Sequence, residues 1–166
     1  HNGEVYNHQA LRDGVLKGHT FRTKSDSEVI VHLYEEFKYD FCNMLDGDWA
    51  FVVVDGDDFI AGRDPMGVKP LYYGLDDRGR IYFASEMKAF KKLPSKMEVD
   101  PLALNDVLQF GYIQGSRTIY DSIKKLKPGH KLTWQSGKIL ISQYWKISPT
   151  KSTLNSNESK NELKKR

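Results

Sequence analysis

Apolar positions recur with two different periods along this chain, and the switches between them mark its elements. Val29, Ile30, Leu33 and Phe37 share one face of a predicted helix, with Glu35 and Glu36 outside. Ser25-Asp26-Ser27-Glu28 in front of it reads as a capping box, Ser25 at the N-cap and Glu28 at N3. Residues 48–54 form an apolar, β-rich run, and turn chemistry at Gly56-Asp57-Asp58 returns the chain as a strand over 59–62. Residues 71–74 and 80–84 pair in the same way across Asp76-Asp77-Arg78-Gly79. A further short strand is predicted over 19–23. Asn7 is placed to cap a short helix that runs through Arg12 and ends near Gly14, and 86–92 reads as another. Asp100-Pro101 opens a helix with a cap and Pro at N1, followed by Leu102, Leu104, Val107 and Leu108 and closed by Gly111. Residues 129–133 and 138–144 read as a hairpin around Gln135-Ser136-Gly137. Strands in meander order with helices added predict an α+β domain built on antiparallel sheet.

Composition narrows the class. At 166 residues the chain is one domain, or one domain and a tail. Hydrophobic residues make up 39%, enough for a globular core. Residues 147–166 are rich in Ser, Asn, Lys and Thr and are expected to be a polar linker, so the domain is placed at 1–146. A net charge of +3 argues against nucleic acid or a membrane surface as partner. No apolar run is long enough to span a bilayer, and no signal-peptide pattern opens the chain. One cysteine gives no disulfide framework, so a reducing, cytoplasmic setting is expected. The five histidines show no metal-ligand spacing. His32 is read as solvated, and no metal site is expected.

The chemistry concentrates at the start. Asn2 and Gly3 offer a carboxamide and an unobstructed backbone N–H, two neutral donors at one point. Such donors suit an oxyanion, the charge that develops when a carboxamide is hydrolysed. Asp26 adds a carboxylate as counter-charge for a cation, although the first turn of a helix favours an acidic residue in any case. Asn-Gly by itself is also a common hairpin turn. Cys42 sits between Phe41 and Met44-Leu45 and reads as a small core residue rather than a nucleophile. Arg63-Asp64 could form an ion pair within a Pro/Gly loop and reads as scaffold.

The string His1-Asn2-Gly3-Glu4-Val5-Tyr6-Asn7-His8, with Ser25-Asp26-Ser27-Glu28-Val29, resembles the class II (N-terminal nucleophile) glutamine amidotransferases. Within them it is most similar to glutamine-hydrolysing asparagine synthetases. Later strings extend the likeness to about residue 146: Arg63 to Tyr73, Phe83 to Ala89, Asp100-Pro101-Leu102-Ala103-Leu104, Phe110-Gly111-Tyr112-Ile113, Arg117-Thr118-Ile119-Tyr120 and Pro128-Gly129-His130. The resemblance implies an α/β/β/α sandwich of antiparallel sheets, incomplete at the N-terminus, with Phe51, Val53 and Leu71 between the sheets. It implies that Asn2 and Gly3 form the oxyanion hole. It further implies that Asn2, Gly3, Glu4 and Asp26 bind glutamine, with Asp26 on the α-ammonium.

That family's nucleophile is a processed N-terminal Cys upstream of the Asn-Gly-Glu. Its synthetase domain, with ATP and Mg²⁺, follows the amidotransferase domain. The chain is therefore expected to be a fragment or a truncated gene product, inactive alone and without a cofactor of its own. Its implied partners are glutamine and its own synthetase domain, with homodimerisation left open. Two other readings stand beside this one: a non-catalytic glutamine- or partner-binding remnant, and a related amidotransferase with another acceptor.

Overall fold

Period-two alternation makes β2 (Gly47–Asp55) two-faced, with Trp49, Phe51 and Val53 on one side and Ala50 and Val52 on the other. In the computed structural model, which describes residues 1–93, 97–135 and 138–148, this strand separates two cores. The larger sheet also contains β1 (Asn2–Val5), β3 (Asp58–Arg63), β7 (His130–Gln135) and β8 (Lys138–Gln143), in the order β1-β2-β3-β7-β8. The smaller is β4 (Tyr72–Leu75), β5 (Ile81–Ala84) and β6 (Ile123–Lys125), in the order β5-β4-β6. Every strand pairing among the described residues is antiparallel.

Between the sheets lie Ala50, Val52, Phe59, Ala61, Leu132 and Trp134 from one side and Leu71, Tyr73, Ile81 and Phe83 from the other. Phe59 meets Phe83 edge-on across the gap, their centroids 5.4 Å apart. On the outer face of the larger sheet, α1 (His8–Asp13) and α2 (Ser27–Phe37) pack Leu11, Val29, Ile30 and Leu33 with Trp49, Phe51 and Ile60. On the outer face of the smaller sheet, a 3-10 turn (Met87–Lys92) sets buried Phe90 against Gly74. Beside it, α3 (Pro101–Phe110) flanks a hollow floored by Tyr72 and Lys125. The layers are those of the expected α/β/β/α sandwich.

Several sequence expectations are corrected. The meander is split: β2–β3 belongs to one sheet and β4–β5 to the other. The crossing loop explains why. Asp64 is fully buried and accepts backbone N–H bonds from Met66, Val68 and Lys69 at 2.9–3.1 Å. Arg63 donates to the carbonyls of Gly67, Lys69 and Leu126 at 2.7–2.8 Å. Neither side chain pairs with the other. Each instead satisfies the backbone of the loop that lifts the chain between sheets. Phe51 and Val53 face the helices, not the smaller sheet, because the inter-sheet set begins one residue away, at Ala50.

Residues 19–23 form no strand. Their backbone is claimed by side chains: Glu28 accepts from the N–H groups of Arg22 and Thr23 at 2.7 and 2.8 Å. That use of Glu28 also undoes the capping box. Asp26 is the N-cap residue, and Ser25 Oγ accepts from Ser27 N–H at 3.2 Å. Asn7 precedes α1 but does not cap it with its side chain. It bridges to the loop before β2, donating to Met44 O at 2.9 Å and accepting from Asp46 N–H at 3.0 Å. Tyr34 rather than Phe37 completes the buried face of α2. Asp100 caps α3 as expected, with bonds from Leu102 and Ala103 N–H. The inward side of α3 is Ala103 and Asp106, however, and Leu102, Leu104 and Leu108 are exposed. Of the expected linker, residues 149–166 lie outside the described residues.

Candidate active site

β1 is an edge strand, and Gly3 lets it approach β2 closely. Gly3 has φ +113°, and a Cβ there would stand 2.0 Å from the Asp48 carbonyl oxygen. Gly47, opposite Val5, makes the reciprocal approach, with φ +136° and a Cβ position 2.2 Å from Glu4 O. Two glycines in register thus seat Asn2-Gly3-Glu4 on the sheet with no side chain between the backbones.

Asn2 pairs with Ala50 and so faces the inter-sheet layer. Its Nδ2 donates to Ser85 Oγ at 3.3 Å, linking β1 to the end of β5. Here the layer opens into a cleft of about 180 Å³, whose wall includes His1, Asn2, Val52, Leu71, Phe83 and Ser85. Its lining combines apolar side chains, Val52, Leu71 and Phe83, with the polar residues His1, Asn2 and Ser85. Ser85 was missed by the sequence reading, although it lies within the Phe83-to-Ala89 string. Its position just beyond β5 was the available signal.

Asp26 is brought to the same strand. Its Oδ2 accepts from Val5 N–H at 2.8 Å, and Ser25 Oγ reaches Oδ1 at 3.4 Å. Beside it, His1 Nδ1 lies 2.7 Å from Ser27 Oγ. Glu4 is exposed, and its carboxylate makes no hydrogen bond among the described residues. Asp48, opposite Glu4, accepts from Tyr6 OH at 2.9 Å, and that bond raises the phenol above its ordinary pKa. The structure therefore collects Asn2, Gly3, Glu4 and Asp26 around one strand. Of these, only Asn2 lines the cleft.

Cys42 is elsewhere in role and environment. It is 1% exposed within the helix-side core, and burial pushes its thiol up to about 12. His32 is not solvated as expected: its ring packs edge-on to Phe21 and sits 3.1 Å from His19, Nδ1 to Nδ1.

Two stacked antiparallel sheets with an Asn-Gly edge strand and a tethered aspartate define a domain of the amidotransferase type. A family model described as a glutamine amidotransferase domain matches residues 1–145, and the chain belongs to that family. It is 59% identical over 90 residues to asparagine synthetase [glutamine-hydrolyzing] 3 of Arabidopsis thaliana, which covers 53% of this chain and 15% of that protein. It is 36% identical over 152 residues to asparagine synthetase [glutamine-hydrolyzing] 1 of Bacillus subtilis, covering 89% of this chain and 24% of that one. The chain thus spans 15–24% of the length of these relatives. Among solved structures it resembles an allosteric regulatory enzyme of purine biosynthesis, with a TM-score of 0.58 and 25% identity over 87% of this chain and 27% of that one. The fold is shared with the glutamine phosphoribosylpyrophosphate amidotransferase of B. subtilis, with a TM-score of 0.59 and 24% identity over 87% of this chain and 28% of that one.

Proposed function

We propose that this chain is the glutamine-hydrolysing portion of an asparagine synthetase, releasing ammonia from glutamine for the ATP-dependent amidation of aspartate in the cytoplasm. The observation that carries the reading is the bond from Val5 N–H to Asp26 Oδ2, which fixes an anion beside the strand bearing the oxyanion donors. In this reading Asn2 Nδ2 and Gly3 N–H stabilise the tetrahedral oxyanion. Asp26 holds the α-ammonium through Oδ1, and exposed Glu4 borders the glutamine pocket.

Residues 1–146 are the amidotransferase domain, and 147–166 lead toward a synthetase domain to which ATP and Mg²⁺ belong. No residue of this chain is assigned to hold them. The exposed apolar side chains of α3, with Leu102, Leu104, Leu108 and Phe110, suit contact with that domain. Residues 1–166 alone do not hydrolyse glutamine, because their one thiol is the buried Cys42.

The test is made in the full-length gene product, by comparing glutamine-dependent with ammonia-dependent asparagine formation. Both should be present, with glutamate released only in the first. Glutamine binding without glutamate release would reject the reading.

A further inference from the structure

On the exposed side of α2, away from the cleft, three donor atoms converge. His19 Nδ1 and His32 Nδ1 are 3.1 Å apart, His32 Nδ1 and Glu35 Oε2 are 2.7 Å apart, and His19 Nδ1 and Glu35 Oε2 are 3.5 Å apart. A tetrahedral zinc ion with bonds of about 2.0–2.2 Å sets its ligand atoms about 3.3–3.6 Å apart. The triangle reaches that edge with a small outward movement of Glu35, whose side chain is 54% exposed, and a slight parting of the two rings. Both imidazoles are largely buried, at 17% and 14% exposure, so their rings are held in place.

The far nitrogens decide what the near ones can do. His19 Nε2 is 2.8 Å from Glu36 Oε1. An ionised carboxylate only accepts, so this nitrogen carries the proton and Nδ1 of the neutral ring presents a lone pair. His32 Nε2 faces Glu28 Oε1 at 3.6 Å and has no hydrogen-bond partner of its own. His32 Nδ1 lies 2.7 Å from the Glu35 carboxylate, so in the metal-free chain this nitrogen carries the ring proton. Binding an ion displaces that proton, which Nε2 can take up on the side of Glu28, and leaves a lone pair on Nδ1. The His19 ring is backed by the Glu36 carboxylate. Carboxylate–histidine pairs of this kind orient metal ligands and raise their basicity.

We propose that His19, His32 and Glu35 bind a divalent first-row transition-metal ion of the Zn²⁺ type, with water completing the coordination. Two imidazoles and one carboxylate select such an ion over Ca²⁺ or Mg²⁺, which take oxygen ligands. The ion ties the segment between α1 and α2 to α2 itself. Helical spacing supplies His32 and Glu35 from one face. The irregular backbone of 19–23, held down by Glu28, delivers His19.

The experiment is calorimetric titration of Zn²⁺ into the metal-stripped chain at neutral pH, with Co²⁺ absorption as the probe of coordination. One ion per chain and a four-coordinate Co²⁺ spectrum are expected. His19→Gln and His32→Gln should each abolish that spectrum, and His130→Gln should leave it unchanged. Glu36→Gln, at a surface position whose hydrogen bond among the described residues is to His19, should weaken affinity by about 10–100-fold. Absence of stoichiometric binding overturns the proposal, as does wild-type affinity in either histidine variant. If a histidine variant fails to fold by circular dichroism, unchanged affinity in Glu36→Gln overturns it alone.

Discussion

The Asp26 carboxylate and the Val5 backbone N–H lie 2.8 Å apart, and this bond fastens the start of α2 to the strand carrying Asn2 and Gly3. One carboxylate oxygen is committed to the fold, and among the described residues the other meets only a long 3.4 Å hydrogen bond from Ser25. The two duties separate by mutation. Asp26→Asn keeps an oxygen for Val5 and removes the charge, whereas Asp26→Ala removes both. In the full-length protein, Asp26→Asn should raise KM for glutamine with kcat nearly unchanged, because an ammonium carries the same charge in ground and transition states. Asp26→Ala should show the same KM effect and lose about 1.5–3 kcal/mol of stability. Steady-state kinetics and urea melts of the two variants decide this, and a large kcat loss in Asp26→Asn contradicts it.

Asn2 and Gly3 are expected to fail differently. The Asn2 side chain makes one long bond to Ser85, so its loss costs the fold little. Asn2→Ala should therefore lower kcat by about 10²–10³ while leaving the melting temperature near wild type. Gly3→Ala places a methyl 2.0 Å from the Asp48 carbonyl oxygen at φ +113°, so it should displace β1 and lower the melting temperature. Ammonia-dependent synthesis should survive Asn2→Ala. Its loss would assign Asn2 to the structure rather than to the oxyanion.

The elements were legible where local chemistry acts alone. The Asp100 cap, the β2–β3 and β4–β5 turns and the Val29, Ile30 and Leu33 side of α2 follow from spacing and turn residues. What the sequence hid is set by distant partners. Residues 19–23 have strand-like composition, but Glu28 takes the N–H groups a ladder needs. The face assignment of Phe51 turns on a one-residue phase, which depends on which side the helices pack. The Asn2–Ser85 bond joins residues 83 positions apart, and the His19–His32 contact pairs a loop with a helix. No periodicity connects such residues.

Acid should destabilise the β4–β5 turn in a defined window. Asp76 is desolvated, which alone would raise its pKa. That effect is outweighed by bonds from the Arg80 and Arg78 N–H groups, the Arg80 guanidinium and Tyr82 OH, and its carboxyl is held at about 2. A carboxyl depressed on folding contributes stability that is complete above its unfolded pKa of about 3.9. The contribution fades as pH falls through about 2. Asp76→Asn should be less stable than wild type at neutral pH and should lose less stability between pH ~4 and ~2. Parallel urea titrations across that range check it. Identical pH slopes for the two proteins would show that Asp76 does not contribute.

The last expectation concerns the thiol. Cys42 is 1% exposed, and burial pushes its pKa up to about 12, so at neutral pH almost none of it is thiolate. Lys131, whose ammonium lies 2.7 Å from Asp40, acts against that shift but does not reverse it. A thiol-specific disulfide reagent should therefore label the folded chain only as fast as the protein opens, and label it stoichiometrically in denaturant. Cys42→Ser should leave glutamine hydrolysis by the full-length protein unchanged in kcat. It should cost stability, because a hydroxyl replaces a small apolar group among Phe41, Leu45 and Trp49. Rapid labelling of the native protein, or loss of glutaminase activity in a Cys42→Ser variant that still folds, would make this cysteine a participant in the chemistry.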